Sequence, residues 1–525
     1  MKPVNQDTSQ LATSSAAAPA RFGSHRAQPA DVQSARGDSR PTRALVADLP
    51  RRIHLLGAGG AGLSGAALIL HAHGHEVSGQ DRADSNFVTD LRSRGIDVVL
   101  GDSTATMLPA DAELVARSAA IGLDDPQVQS ALARGIPVLK YAELLGKIGP
   151  ARRTLAIAGT HGKTTTSWMT YHALRGIAEA AGRNSGAPGA LIGGTCRTVN
   201  ANAVAPEPRG WFACEACEYD RSFLQISPEG AIITNVEADH LDYYGTLAAI
   251  EEAFARFADR IHPDGLLVVG RDVPDRVVAA SPCQVWRLGR ELHIDLLGES
   301  HGFFRFRLRG PGWATPMVTL NVPGSFNVDN AALALGLSIG LAARNDGIAP
   351  EDAAAAAART LHRYKGAMRR FEPWGTVGGV EVIHDYAHHP TEVRVTLEAA
   401  RRTLPGKPLH VLFQPHQHSR TARFLEDFVE ALRGADRVVV ADVYGARAHI
   451  DSTSAGAPEL VMRLNKAGVD AVLGGDPSSA MKKLCERLPA GGAALILGAG
   501  DIDLAKNDLL EELALRGPAP RGSVR

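Results

Sequence analysis

The chain has 525 residues, which at about 150 residues per domain points to three or four domains and excludes a single small binding module. Apolar residues make up 45% and charged residues 22%, with 56 Lys+Arg against 57 Asp+Glu. That balance is typical of a globular protein and excludes a polybasic binder of nucleic acid. The cysteines Cys196, Cys214, Cys217, Cys283 and Cys485 are an odd, scattered set, so a reducing, cytoplasmic setting is expected rather than a disulfide scaffold. The longest apolar stretch, residues 331–343, contains Gly and Ser and is shorter than the roughly 20 residues of a membrane span, so no membrane partner is expected. Residues 1–48 are rich in Ala, Ser, Arg and Pro without a hydrophobic period, which predicts a disordered tail rather than a targeting segment.

From Arg51 onward, short β-branched or Leu-rich runs alternate with Ala-rich helical stretches. Strands are predicted at Ile53–Leu56, Glu76–Gly79, Val98–Leu100, Leu114–Ala116 and Pro137–Leu139, the rhythm of βαβ units in a parallel sheet. A second series runs through Thr154–Ala158, Trp211–Ala216, Ala231–Thr234 and Leu266–Val269. A third runs through Val380–His384, Leu409–Phe413, Arg437–Ala441 and Ala493–Leu497. The expected fold is α/β with three domains over residues 49–150, 151–360 and 361–525. The first and third are Rossmann-like and the middle one is a P-loop type. Gln284–Val322 breaks the rhythm, because Phe303–Leu308 alternates apolar residues with Arg. A β excursion of half-exposed antiparallel strands is expected there.

Two loops have the composition that phosphate requires. Gly57, Gly59, Gly60 and Gly62 follow the first strand and precede a helix, so backbone can approach a diphosphate at a helix N-terminus. Asp81, at the end of the next strand, stands where a ribose-binding acid would sit. Alone, this loop predicts a dinucleotide dehydrogenase, or simply close packing of helix on strand. The second loop, Gly159-Thr160-His161-Gly162-Lys163-Thr164-Thr165, follows strand Thr154–Ala158. Its backbone donors suit phosphates, Lys163 suits the β and γ oxygens, and the Thr164 hydroxyl suits Mg²⁺. Ile157 replaces the first glycine of the full P-loop pattern, so a shortened variant is expected. A lysine-bearing loop beside a second phosphate loop favours a triphosphate plus a separate diphosphate ligand over hydride transfer.

Acids follow two of the buried strands, in Cys214-Glu215-Ala216-Cys217-Glu218 and Asn235-Val236-Glu237-Ala238-Asp239-His240. In a parallel sheet both clusters emerge on the edge that carries the triphosphate loop, where oxygen and imidazole donors can gather around Mg²⁺. Cys214 and Cys217 form a lone CxxC with no second pair, so zinc or redox chemistry is not expected of them.

With these residues in view, the chain resembles the Mur ligases, ATP-dependent amide-forming enzymes of peptidoglycan precursor synthesis. The likeness runs in order through HLLGAGGAGLSG, AGTHGKTTT, EACEYDRSFL, NVEADHLDYYG, GSFNVDNAALA, RRF, HDYAHHPTE, FQPH and GAGD. The motifs GGAGLSG and ADHLDYYG lean toward the member that joins L-alanine to UDP-N-acetylmuramate. Tyr219 after Glu218 leans toward a sibling that adds a murein tripeptide, and a non-catalytic ATP or UDP-sugar binder is the remaining alternative. The resemblance implies that Gly57, Gly59, Gly60, Gly62, Ser64 and Asp81 hold the UDP-sugar, and that Thr164, Glu218 and His240 ligate Mg²⁺. It also implies that Asn327 and Asn330 lie on the adenine, and that Arg370 and Asp385 reach ATP. Tyr386, His388, His416 and Arg420 are implied at the amino acid, with Lys163, Arg370 and His388 catalytic. The chain departs from the family at Phe326, Cys217 and Gln417, and it has no lysine between Lys163 and Lys365 to carry the carbamate that several members use.

Overall fold

The computed structural model describes residues 46, 48–149, 153–182, 186–445 and 456–516. The tail expected over residues 1–48 lies outside them, apart from Val46 and Asp48.

Five parallel strands build the first sheet in the spatial order Asp97–Leu100, Glu76–Asp81, Arg52–Leu56, Leu114–Arg117 and Val138–Lys140. The order reverses at Arg52–Leu56, so the loop that leaves its carboxyl end opens into the crevice where such sheets bind ligands. Gly57 turns the chain at φ +81°. Gly62 then lets the helix Ala61–Ala72 approach Tyr141, since a Cβ at Gly62 would stand 2.6 Å from the Tyr141 Cζ.

The central sheet runs Gln284–Arg287, Leu266–Val269, Gly230–Ile233, Thr154–Ala158, Phe212–Glu215, Gly189–Cys196 and Ala201–Val204. All its pairings are parallel except the last. Thr154–Ala158 lies between Gly230–Ile233 and Phe212–Glu215, so the lysine-bearing loop is flanked on either side by the two acid-bearing strand ends. One expectation needs correction here. Gln284–Arg287 belongs to this parallel sheet, paired with Leu266–Val269, because Trp286 packs into the central core. The excursion begins only at His293–Ser300, which pairs antiparallel with Phe303–Gly310. There Phe304, Phe306 and Leu308 are buried while Arg305, Arg307 and Arg309 are exposed, the period of two expected of a sheet with one wet face. The hairpin Gly189–Cys196 with Ala201–Val204 was not anticipated.

The helix Phe326–Asn345 is long and apolar enough to span a membrane, but 83% of its apolar window is buried inside the protein. It packs against Lys163–Ala181 and Pro350–Leu361, and its apolar length is that of a core helix. The third sheet runs Glu372–Val377, Val380–Asp385, Ala493–Leu497, Leu409–Phe413, Arg437–Ala441 and Asp470–Gly475, with only the first pairing antiparallel. Its carboxyl edge presents Asp385 and the segment that follows Phe413 toward the central sheet.

Gly62→Ala tests the close approach in the first sheet. Forcing a methyl against the Tyr141 ring is expected to cost about 1–3 kcal/mol, read as a lower urea midpoint, and Tyr141→Leu is expected to relieve most of that loss.

Candidate active site between the central and C-terminal sheets

The loop after Thr154–Ala158 is held in shape by its neighbour strand. Thr160 N–H donates to the Asn235 carbonyl at 3.1 Å, Glu237 N–H donates to the Thr160 hydroxyl at 2.8 Å, and His161 N–H donates to Asn235 Oδ1 at 2.8 Å. Gly159 has φ +137° and Gly162 has φ +81°. A Cβ at Gly159 would run into the Thr234 hydroxyl, and one at Gly162 would stand 2.7 Å from Asn330 Oδ1. The loop then enters the helix Lys163–Ala181, whose free N–H groups and positive end face the loop.

Lys163 folds back over this loop. Its Nζ donates to the Gly159 carbonyl at 2.6 Å and the Thr160 carbonyl at 3.1 Å, and lies 3.0 and 2.9 Å from the two carboxylate oxygens of Glu218. Burial works against the ammonium, but Glu218 more than restores it and the pKa stands above the usual lysine range. Thr164 Oγ1 donates to Glu215 Oε2 at 2.9 Å, an oxygen that also accepts the Gly193 N–H at 3.1 Å. His240 Nε2 lies 3.9 Å from Glu218 Oε1 and 3.8 Å from Asp239 Oδ2. Its backbone is left-handed, φ +49°, a conformation that costs a non-glycine residue of order 1 kcal/mol or more. Burial lowers the His240 pKa, which keeps the imidazole neutral and fit to donate a lone pair.

A cleft opens between the central and C-terminal sheets. His161, Gly162, Thr164, Thr165, Asn327, Asn330, Arg370 and Asp385 all line it. Asn327 Nδ2 donates to the Pro323 carbonyl at 2.6 Å, and Asn330 Nδ2 donates to Asn327 Oδ1 at 3.1 Å. Asp385 accepts the Phe371 N–H at 2.7 Å and the Ala387 N–H at 2.8 Å. The guanidinium of Arg370 lies 4.9 Å from the centre of the Tyr386 ring.

The seam between the two sheets is polar and charged. Arg420 Nη2 donates to Asp239 Oδ1 at 2.5 Å with the two side chains 5% and 9% exposed, and Arg420 Nη1 lies 3.0 Å from His416 Nδ1. Burial works against the Asp239 carboxylate, but Arg420 and the neighbouring histidines hold it well below the usual range. Thr391 Oγ1 donates to Glu237 Oε2 at 2.9 Å. His161 Nδ1 meets Glu392 Oε1 at 3.1 Å. Burial pulls the His161 pKa down, and the Glu237 and Glu392 carboxylates beside the ring outweigh that and raise it to about 9. The other oxygen of Glu392 accepts the His388 N–H at 3.1 Å. His388 Nδ1 lies 3.0 Å from the Tyr386 carbonyl, which can only accept, so Nδ1 carries a proton, and in the neutral ring Nε2 keeps the lone pair. Tyr386, His388 and His416 form a run of ring contacts with centroids 5.3 and 5.4 Å apart.

The first glycine loop, with Gly57, Gly59, Gly60 and Gly62, lies outside the large cleft. Two residues expected on its ligand also have partners within the protein. Asp81 Oδ2 accepts the Gly59 N–H at 2.8 Å, so this carboxylate braces the loop. Ser64 is buried, donating to the Ala61 carbonyl at 3.1 Å and accepting from Asn202 Nδ2 at 3.0 Å. It joins the first domain to the Gly189–Val204 hairpin. Glu215, Glu237 and Asp239 were read only as members of the two strand-end acid clusters, without roles of their own, and Glu392 was not singled out. The local signal for Glu392 was its place three residues after His389 at a helix start, the spacing of a capping box.

Burial raises the Asp385 carboxyl to about 6, against an ordinary 3.8. Folding therefore favours its protonated form, and the stability it contributes is full below the ordinary value and is lost as pH rises through about 6. Carbon-13 NMR of labelled aspartate is expected to show one carboxyl with a midpoint near 6 that disappears in Asp385→Asn.

Family models match the chain in three consecutive blocks: "Mur ligase family, catalytic domain" over residues 52–153, "Mur ligase middle domain" over 157–338, and "Mur ligase, glutamate ligase domain" over 369–500. A UDP-N-acetylmuramate–L-alanine ligase of Kineococcus radiotolerans is 40% identical over 91% of this chain and 99% of its own length. One from Rubrobacter xylanophilus is 40% identical over 75% of this chain and 85% of its own length. Among solved structures, the UDP-N-acetylmuramate-alanine ligase of Thermotoga maritima is 26% identical with a TM-score of 0.69, covering 88% of this chain and 98% of its own. A murein peptide ligase from Psychrobacter arcticus, 24% identical with a TM-score of 0.64, shares the fold over 89% of this chain and 99% of its own. The chain belongs to the Mur ligase family.

Proposed function

We propose that the protein joins L-alanine to the lactyl carboxylate of UDP-N-acetylmuramate at the expense of ATP, in the cytoplasm and as a step of peptidoglycan precursor synthesis. The observation that carries this reading is the gathering of Lys163, Thr164, Glu215, Glu218 and His240 at one strand edge, beside a cleft whose other wall belongs to the third sheet. The glycine cradle at Gly159 and Gly162, where a Cβ would meet Thr234 or Asn330, suits triphosphate oxygens, with Asn327 and Asn330 toward the adenine and Arg370 and Asp385 closing from the C-terminal side. The hydroxyl, carboxylate and imidazole of Thr164, Glu218 and His240 are donors that suit Mg²⁺, with Glu215 set to orient Thr164. The ion would supply neutralisation of charge on the transferring phosphoryl group.

The reaction places a carboxylate against a polyphosphate, so repulsion must be cancelled before they can meet. Lys163 and Arg370 bring fixed positive charge to that point, and because both are already held in place they need little reorganisation. The carboxylate oxygen attacks the γ-phosphorus and ADP leaves. The amine of alanine then attacks the acyl carbon and displaces phosphate. An α-amine has a pKa of about 8, so a base near it speeds the second step, and His388 Nε2 is the lone pair left for that proton. Arg420 would take the alanine carboxylate on the N–H groups that Asp239 and His416 leave over, since a guanidinium carries five. A cleft of about 480 Å³ beside Arg420, lined by Asp239, His240 and Gln417 among others, is the site offered to that amino acid. The Gly57–Gly62 loop would receive the UDP diphosphate. Because UDP-sugar, ATP and amino acid start on three domains, movement of the domains is expected within each turnover.

Phosphate release with ATP, Mg²⁺ and UDP-N-acetylmuramate, offering L-alanine, other amino acids and a murein tripeptide in turn, tests this reading. Release is expected with L-alanine foremost. Lys163→Ala is expected to lower it by at least about 10²–10³-fold while UDP-sugar binding is retained. Turnover at the wild-type rate in that variant would contradict the role of the loop.

A further inference from the structure

The side chains of His161, Glu237 and His389 take no step in the reaction as described, although His161 and Glu237 line the cleft, and they converge across the seam. Their donor atoms all lie within 4.8 Å of one another. His161 and Glu237 come from the central domain, and His389 caps the helix Pro390–Thr403 of the C-terminal domain. His389 is 5% exposed, and its Nε2 and that of His161 are both buried without a hydrogen-bond partner. The two rings stand with centroids 4.7 Å apart, and His161 Nε2 is 3.5 Å from Glu237 Oε2. Two buried imidazole nitrogens without a hydrogen bond, one of them with only a long carboxylate contact, are costly in such a seam unless a further group pairs with them.

We propose that His161, Glu237 and His389 form a binding site for a borderline transition-metal ion of the Zn²⁺ type, which ties the central and C-terminal domains together. Two histidines and a carboxylate are a set that zinc favours over Mg²⁺, with a fourth position left for water. The supporting contacts are those of a metal site. Glu392 bonds the other nitrogen of His161 at 3.1 Å, the carboxylate–histidine arrangement that orients a ligating imidazole, and Thr391 bonds Glu237 at 2.9 Å. Donors of a tetrahedral ion with bonds of about 2.1 Å are about 3.4 Å apart; His161 Nε2 and Glu237 Oε2 already stand at 3.5 Å, and the remaining separations, all within 4.8 Å, close by side-chain rotation. The ion displaces the proton that His161 holds between its two carboxylates, so binding tightens as pH rises. Coordination through His389 Nε2 also moves that ring's proton to Nδ1 and gives up the long 3.3 Å bond from the Thr391 N–H. The site is separate from the Thr164, Glu218 and His240 donors and needs no nucleotide.

Equilibrium dialysis with Zn²⁺ and the visible spectrum with Co²⁺, both on the full chain in excess Mg²⁺ without nucleotide, test the site independently of activity. One ion per chain and a tetrahedral Co²⁺ spectrum are expected. Zn²⁺ is also expected to raise the melting temperature. Both signals should be lost in His389→Asn, which keeps a helix-capping side chain, and in Glu237→Gln. Glu392→Gln should weaken binding by about 10–100-fold, and His240→Gln should leave it unchanged. No ion bound by the wild-type chain, equal binding by His389→Asn, or loss confined to His240→Gln would each overturn the proposal.

Discussion

The architecture depends on the placement of one ammonium group. Lys163 is the first residue of a helix and leans back onto two loop carbonyls and the Glu218 carboxylate. A charge buried at that depth is tolerable only while it is paired, so the loop, the strand end that carries Glu218 and the helix start are locked into one geometry. In the proposed reaction a polyanion arriving at the loop would take over part of that pairing and free Glu218 for a cation. The same contacts would then both order the empty loop and prepare it for phosphate.

The two joints of the chain are built differently, and this bears on how it moves. The first domain meets the central one through Ser64 with Asn202 and through a solvent-exposed ion pair of Lys140 with Asp220. The third domain meets it through Arg420 with Asp239, His161 with Glu392 and Thr391 with Glu237. Directional charged contacts such as these have two discrete states, made or broken, which suits a joint that must open to admit nucleotide and close to exclude water. Arg420 has a further part in this, because the group proposed for the alanine carboxylate also holds the seam.

Much of the fold was legible because its strands are buried on both faces and read as unbroken apolar runs, such as Leu266–Val269 and Ala493–Leu497. The strands that escaped notice are those whose residues pack poorly as strands. Gly189–Cys196 is rich in Gly and small residues, Glu372–Val377 contains Pro373 and a bulge near Gly375, and Asp470–Gly475 starts on a charge and ends on two glycines. Each lies at or near a sheet edge, where packing constrains sequence less. The phosphate loop and the acids beside it were legible because local spacing carries their chemistry. The seam was not, since its partners stand 231, 181 and 154 residues apart and no local pattern pairs Arg420 with Asp239. The partners of Ser64 and Asp81 within the protein, Asn202 and Gly59, were hidden for the same reason, being set by tertiary packing.

Oxygen tracing tests the central chemistry most directly. UDP-N-acetylmuramate labelled with oxygen-18 in its lactyl carboxylate is turned over with ATP, Mg²⁺ and L-alanine, and the inorganic phosphate is collected for mass spectrometry. An acyl phosphate formed on the Lys163 loop delivers one labelled oxygen to each phosphate released with amide product. Phosphate free of label, formed alongside that amide, would contradict it.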